Sequence, residues 1–234
     1  MSIAENIARI RQEMEAAAIA AGRDPRSVQL CAATKMNDSD AVREAIRGGV
    51  DCCGENRVQE LTAKLADDAY RGAPIHFIGH LQTNKVRQVV GKVDLIQSVD
   101  SLRLLEAIDK EAGKQGLRQD ILLELNIGEE ATKTGAAADD LWPMLECAAG
   151  LRNVHVRGLM AIPPAFDNGP ESRRYFAMLR ELMEQAKARH YENAQLDILS
   201  MGMSGSYEAA ILEGATLVRV GTAIYGERYY PNRI

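Results

Sequence analysis

The run Leu30–Asp38, LCAATKMND, leads five small or apolar residues straight into Lys35 and then into a polar cluster that starts a helix. Lysine is seldom buried unless paired. At the end of an apolar run it suits a charge partner for an anion or, with its ammonium partly desolvated and its pKa lowered, an amine nucleophile. Two glycine- and serine-rich turns lie near the other end of the chain, in LSMGMSGSYEAAILEG (199–214) and RVGTAIYG (219–226). Backbone N–H groups at Gly202, Gly205 and Gly221, a helix start, and the hydroxyls of Ser204 and Thr222 are the ingredients of a phosphate site. Two ordinary turns with an N-cap at Ser204 or Ser206 would use the same residues. Arg219 is a fixed cation that would serve either an ion pair with Glu124 or Asp197, or a ligand.

Bringing these groups together requires a fold in which the first and last strands meet. Apolar runs of strand length fall at 28–34, 50–53, 75–78, 93–97, 121–126, 154–160, 196–200 and 216–220. Helical patterns fall at about 1–21, 38–48, 56–68, 83–91, 101–115, 138–149, 170–190 and 206–213. Asp38, Asp100 and Ser101 suit helix starts; Gly48, Gly91, Gly116, Gly150 and Gly214 suit helix ends. Eight strands, each followed by a helix except the last, is the count of a single-domain α/β (β/α)8 TIM barrel over residues 1–234, with an extra N-terminal helix. A doubly wound open sheet alternates in the same way.

In a barrel the functional face lies at the strands' carboxyl ends. Those ends carry Lys35, Glu55-Asn56, His80, Ser98, Asn126, Met160, Ser200-Met201, Arg219 and Gly221-Thr222. Closure would set Lys35 beside Arg219 and the phosphate-type turns. The chemistry open to that set is a Schiff base with a phosphorylated carbonyl compound. One version is an aldolase with Glu55 as general acid or base. The other is a site for pyridoxal 5′-phosphate (PLP), whose pyridine nitrogen commonly faces an Asp or Arg.

Composition narrows the partners. The 234 residues are 46% hydrophobic and 26% charged, with net charge −5 and pI near 5.5, which argues against a nucleic-acid partner. No apolar run is long enough to span a membrane. The amphipathic N-terminus is unlike a signal peptide, so a cytoplasmic protein with no membrane partner is expected. Cys31, Cys52, Cys53 and Cys147 form no CxxC pair, and strand-like residues separate His76 from His80. Buried free thiols and no metal site are expected.

The motifs AATKMND, GENRVQE, IHFIGHLQTNK, SVDS, GLMAIPP, LSMGMS and VRVGTAIYGER, in this order across residues 28 to 228, resemble those of the YggS/PROSC family of PLP homeostasis proteins. The resemblance implies a barrel like the N-terminal domain of alanine racemase. It places PLP as a Schiff base on Lys35, the phosphate on Ser204, Gly221 and Thr222, and the pyridine nitrogen opposite Arg219, with Asn56, His80 and Met201 lining the pocket. It implies a monomer that stores, protects or delivers PLP, in part to PLP-requiring apo-enzymes, without substantial turnover and hence without catalytic residues. Three positions depart from the family pattern: Met36-Asn37-Asp38 replaces a Thr and then a Pro, Cys53 a common Phe, and Ser206 a usual Asp. They bear on loop geometry rather than on Lys35 or Arg219.

The alternative is a PLP-dependent racemase-like enzyme. Arg219 does not accept a proton from the ring nitrogen, so it favours an unprotonated pyridine, a weak electron sink that is tolerable for racemisation but poor for most carbanion chemistry. Racemisation also needs a second base opposite the lysine. Alanine racemases bring it as a tyrosine from a C-terminal β domain, whereas this sequence ends at Ile234, and Tyr225, Tyr229 and Tyr230 are expected in or after the final loop.

Overall fold

The computed structural model describes residues 2–128, 134–164 and 172–226. Its strands are β1 (Gln29–Ala33), β2 (Cys52–Glu55), β3 (Ile75–Phe77), β4 (Leu95–Val99), β5 (Gln119–Leu125), β6 (Val154–Ala161), β7 (Ala194–Ser200) and β8 (Leu217–Val220). They pair in parallel, in chain order, and close into a barrel. The closing ladder sets Gln29 opposite Leu217 and Cys31 opposite Arg219, which removes the open-sheet alternative. Strands covered on both faces read as continuous apolar runs rather than as alternating ones, which is why all eight were visible in the sequence.

The helices are α1 (Ile3–Ala20), α2 (Ser39–Arg47), α3 (Val58–Ala66), α4 (Leu102–Gln115), α5 (Leu141–Gly150), α6 (Arg173–Arg189), α7 (Tyr207–Leu212) and α8 (Thr222–Tyr225). The extra helix α1 starts with a capping box between Ser2 and Glu5. It buries Ile7, Ile10, Met14, Ala17 and Ala18, three or four residues apart, and packs against α2, α7 and α8. Each fully buried large side chain contributes about 1.5–3 kcal/mol. Helix α1 thus ties the element after β1 to those around β8.

Along β1, Leu30 and Ala32 join the main core under the helices, while Cys31 faces the barrel interior with Cys52 and Leu217. Leu95, Leu122 and Met160 form a neighbouring interior cluster, and Ile198 touches both. Among the described residues, no helix is long and apolar enough to cross a membrane.

The structure departs from the sequence reading in places. The segment expected as a helix over 83–91 is a 3-10 helix, Thr83–Gln88. It buries Val86, and Val89 and Val90 are buried just beyond it; their i, i+3, i+4 spacing reads as a helical face in the sequence, but β-branched side chains lower helix propensity. The pattern at 138–149 splits into a 3-10 turn and α5, with Pro143 in the first turn, where its missing N–H is not needed. Ser101 rather than Asp100 caps α4, and Gly150 lies inside α5. The last strand is followed by the one-turn helix α8.

Candidate functional site

Lys35 sits two residues beyond β1, in a turn at the barrel's carboxyl rim. The turn is held from several sides. Met36 adopts a positive φ of 61°, and its N–H donates to Glu60 Oε2 at 2.6 Å. Asn37 N–H donates to the Thr34 carbonyl at 3.1 Å, and Asn37 Nδ2 donates to the Lys35 carbonyl at 3.1 Å. Asp38 caps α2 by accepting from Ala41 N–H at 2.8 Å.

Beneath the turn lies a buried polar network. Glu55 Oε2 accepts from Lys64 Nζ at 2.6 Å, Thr34 Oγ1 at 3.1 Å and Tyr70 OH at 3.2 Å, and Lys64 also donates to the Thr34 carbonyl at 2.8 Å. Glu55 Oε1 accepts from the Asn56 backbone N–H at 2.8 Å. The expectation that Glu55 could act as an aldolase acid or base is corrected here. Its carboxylate is engaged by a lysine on α3, outside the barrel, and is fully buried. It is a structural anchor.

Arg219 lies in β8 with its Cα beside Cys31. Its side chain reaches the rim ends of β6 and β7, where Nη1 donates to Ser200 Oγ and Nη2 donates to the Ala161 carbonyl at 2.9 Å. Neither ion pair considered from the sequence forms. Asp197 pairs with Arg157 at 2.6 Å, and Glu124 Oε1 accepts from Thr134 Oγ1 at 2.8 Å. Among the described residues, no carboxylate comes within ion-pair distance of Arg219. Burial pulls its pKa down to about 10, against the opposing influence of Cys31 and Glu124, so it remains a cation at neutral pH.

The two turns after β7 and β8 do meet. Ser204 Oγ accepts from the N–H groups of Gly221 and Ala223, both at 3.2 Å. One oxygen therefore already stands where the donors at the start of α8 converge. Gly221 is buried and Thr222 is exposed. Gly202 has φ +90°, and a Cβ there would lie 2.6 Å from Ala210 Cβ, so the turn needs glycine. Ser206 Oγ accepts from Met203 N–H rather than from a helix N–H, which shapes the loop.

The other expected residues are distributed less evenly. Asn56 follows β2, directly under Gly79, where a Cβ would come 2.1 Å from the Asn56 carbonyl oxygen. His80 is exposed at the rim, with Nδ1 3.4 Å from Asp100 Oδ2. Met201 is fully buried in the main core. Tyr229 and Tyr230 lie outside the described residues.

Among the described residues, three buried side-chain polar atoms have no hydrogen-bond partner: Asn56 Oδ1, Ser98 Oγ and Tyr225 OH. Asn56 follows β2, Ser98 is near the end of β4, and Tyr225 is in α8. Such atoms are costly unless something meets them. Each is an atom that a ligand's polar groups would satisfy, and Arg219, bonded among the described residues to neutral oxygens alone, offers further donors; PLP, with its phosphate, phenolic oxygen and ring nitrogen, carries such groups. The sequence reading places Tyr225 in or after the final loop rather than at the pocket; it lies in α8. Burial, with smaller contributions from Cys53, Cys31 and Glu55, raises the pKa of its phenol.

The chain matches the model of the family described as alanine racemase, N-terminal domain, over residues 2–229. A protein of Aquifex aeolicus named pyridoxal phosphate homeostasis protein is 43% identical, covering 98% of this chain and 100% of that one. A protein of the same name from Pseudomonas aeruginosa is 42% identical, covering 98% and 97%. Among solved structures, PipY of Synechococcus elongatus with PLP bound is 37% identical, with a TM-score of 0.81 over 96% of this chain and 100% of that one. An alanine racemase of Clostridium difficile, 16% identical with a TM-score of 0.68 over 88% of this chain and 53% of that one, shares the fold. In sequence and in barrel architecture, the chain belongs to the family of pyridoxal phosphate homeostasis proteins, built on the alanine racemase N-terminal-domain fold.

Proposed function

We propose that this protein binds PLP as a covalent Schiff base on Lys35 and serves intracellular PLP homeostasis as a cytoplasmic monomer, holding the cofactor and passing it to PLP-requiring apo-enzymes. The observation that carries the reading is the buried Arg219 guanidinium, bonded among the described residues only to Ser200 Oγ and the Ala161 carbonyl. A donor with spare N–H groups and no carboxylate partner suits an acceptor nitrogen. Linkage would consume the Lys35 amine and the PLP aldehyde, form one C=N bond and release one water. Gly221, Ala223, Ser204 and Thr222 are the phosphate contacts this reading assigns, with Asn56 and Tyr225 supplying polar atoms that lack partners. His80 and Met201 have the weaker claim, one at the exposed rim and the other inside the core.

Holding rather than turning over is supported by the occupation of Glu55, whose carboxylate is committed to Lys64 and is not available to the chemistry at Lys35. An unprotonated pyridine beside Arg219 adds to this, being a poor sink for carbanion charge. The test is an absorption spectrum of purified protein after addition of PLP. Wild type is expected to develop the yellow chromophore of a Schiff base, and Lys35→Ala is expected to lack it. A wild-type protein that ignores PLP sinks the cofactor reading. Multiple-turnover conversion of L-alanine to D-alanine at low protein concentration would replace the holding function with the racemase alternative.

A further inference from the structure

Behind Arg219 a line of buried polar side chains runs across the barrel interior. Arg219 Nη1 donates to Ser200 Oγ. Ser200 Oγ lies 2.7 Å from Gln97 Oε1, and Gln97 Nε2 lies 2.8 Å from His76 Nδ1. These four residues come from β8, β7, β4 and β3, and their exposures are 4%, 0%, 0% and 7%. Beyond His76 Nδ1, Cys52 Sγ is 3.5 Å away. None of these contacts follows from proximity in sequence.

Donor inventory fixes the direction of the line. Arginine has only donors, so Ser200 Oγ must accept from it and direct its own hydrogen onward. Gln97 Oε1 takes that hydrogen, which turns the amide nitrogen toward His76. Nδ1 must then carry a lone pair, and the imidazole proton sits on Nε2. The reversed amide would leave the Ser200 hydroxyl hydrogen without an acceptor in the line. Cys31, Cys52 and His76 also bring possible metal-ligand atoms within 4.8 Å of one another. The Nδ1 lone pair a cation would need there is already used by Gln97.

We propose that Ser200, Gln97 and His76 are positioning residues of the cofactor pocket: a one-way chain of neutral groups that fixes the Arg219 guanidinium at the rim while leaving its charge uncancelled. This rests on the PLP reading above. A carboxylate in the place of Ser200 would cancel the charge and offer a proton acceptor. A neutral chain holds the same geometry and keeps the full cation for a ring nitrogen, which then stays unprotonated. The line acts as a unit, because losing any member frees the next to reorient.

Two measurements test it. Nitrogen-15 NMR of the PLP-free protein is expected to show His76 as the neutral tautomer with a bare Nδ1; a proton on Nδ1 in wild type overturns the chain. PLP titration is expected to show Ser200→Ala and Gln97→Leu each weakening binding about tenfold, the loss of roughly one charge-assisted hydrogen bond's orientation. The visible absorption of their bound PLP should also differ in its pH dependence. The double variant should be no worse than either single, and Ser200→Thr, which keeps the hydroxyl, should stay within about threefold of wild type. Circular dichroism screens for folding; should Gln97→Leu not fold, the Ser200→Ala and Ser200→Thr pair decides. Wild-type affinity and an unchanged spectrum in Ser200→Ala overturn the proposal while leaving PLP binding intact. Failure of wild type to bind PLP overturns the cofactor reading itself.

Discussion

Lys64→Met probes what holds the Lys35 turn. Lys64 Nζ lies 2.6 Å from Glu55 Oε2 and 2.8 Å from the Thr34 carbonyl, and the two charged side chains are 7% and 0% exposed. Removing the cation leaves a carboxylate buried with only Thr34 Oγ1, Tyr70 OH and the Asn56 N–H to solvate it. Breaking one side of a buried pair typically costs about 3–5 kcal/mol. Solvent screening gives little relief at this burial. For a chain of this size, about 2–4 °C per kcal/mol puts the fall in Tm at roughly 6–20 °C. Adding Glu55→Gln to Lys64→Met removes the stranded charge while keeping an amide that can meet Thr34, Tyr70 and the Asn56 N–H. The double variant should therefore be more stable than Lys64→Met alone. Urea unfolding of wild type, both singles and the double supplies the cycle. A Lys64→Met variant within about 1 kcal/mol of wild type, or strictly additive losses in the double, refutes the anchoring role, because an uncompensated buried charge cannot be that cheap.

Two further outcomes follow from the same site. Burial raises the Glu124 pKa above its ordinary 4.5, with Thr134 opposing, so the folded state holds the proton more tightly than the unfolded one; stability should fall as pH rises from about the ordinary value through the raised one, and then level. Glu124→Gln should flatten that fall in thermal melts taken across the window. Ser204→Ala removes the oxygen that accepts from Gly221 and Ala223; it should cost about 1–3 kcal/mol in urea unfolding, and addition of inorganic phosphate should recover more stability in the variant than in wild type.

The barrel was legible because its parallel strands are covered on both faces, so each appears as a compact apolar run with a polar residue at its end. Lys35 stood out as an anomaly against that pattern, and Arg219 as a cation inside an apolar strand. Other features were hidden for physical reasons. Glu55 follows Gly54 at the end of β2, where sequence order alone does not tell which face it takes. Its alternation with Cys53, which joins the helix-side core, in fact turns it outward toward Lys64 on α3. Gln97 sits within LIQSV, an ordinary strand in composition, and its value lies in contacts with residues far along the chain. Tyr225 was assigned to a terminal loop because a single helical turn such as α8 is too short for periodicity to reveal.

The two faces of the same short strands thus divide the polar work. On the outer side of β2, a strongly paired carboxylate and lysine fix the backbone that carries Lys35. On the inner side, the groups near Arg219 are neutral or soft: Ser200 and Gln97, and the Cys31 thiol, whose pKa a hydrogen bond from Cys52 lowers against the opposing effect of burial. Placed one strand over from Arg219 in the ladder, the Cys31 sulfur is a soft, polarisable neighbour that does not occupy the guanidinium donors. A carboxylate in that position would form a bidentate pair and take the N–H groups that a ring nitrogen needs. The interior therefore tolerates a buried cation while leaving N–H groups unspent, as the proposed contact with a ring nitrogen requires and a purely structural arginine would not.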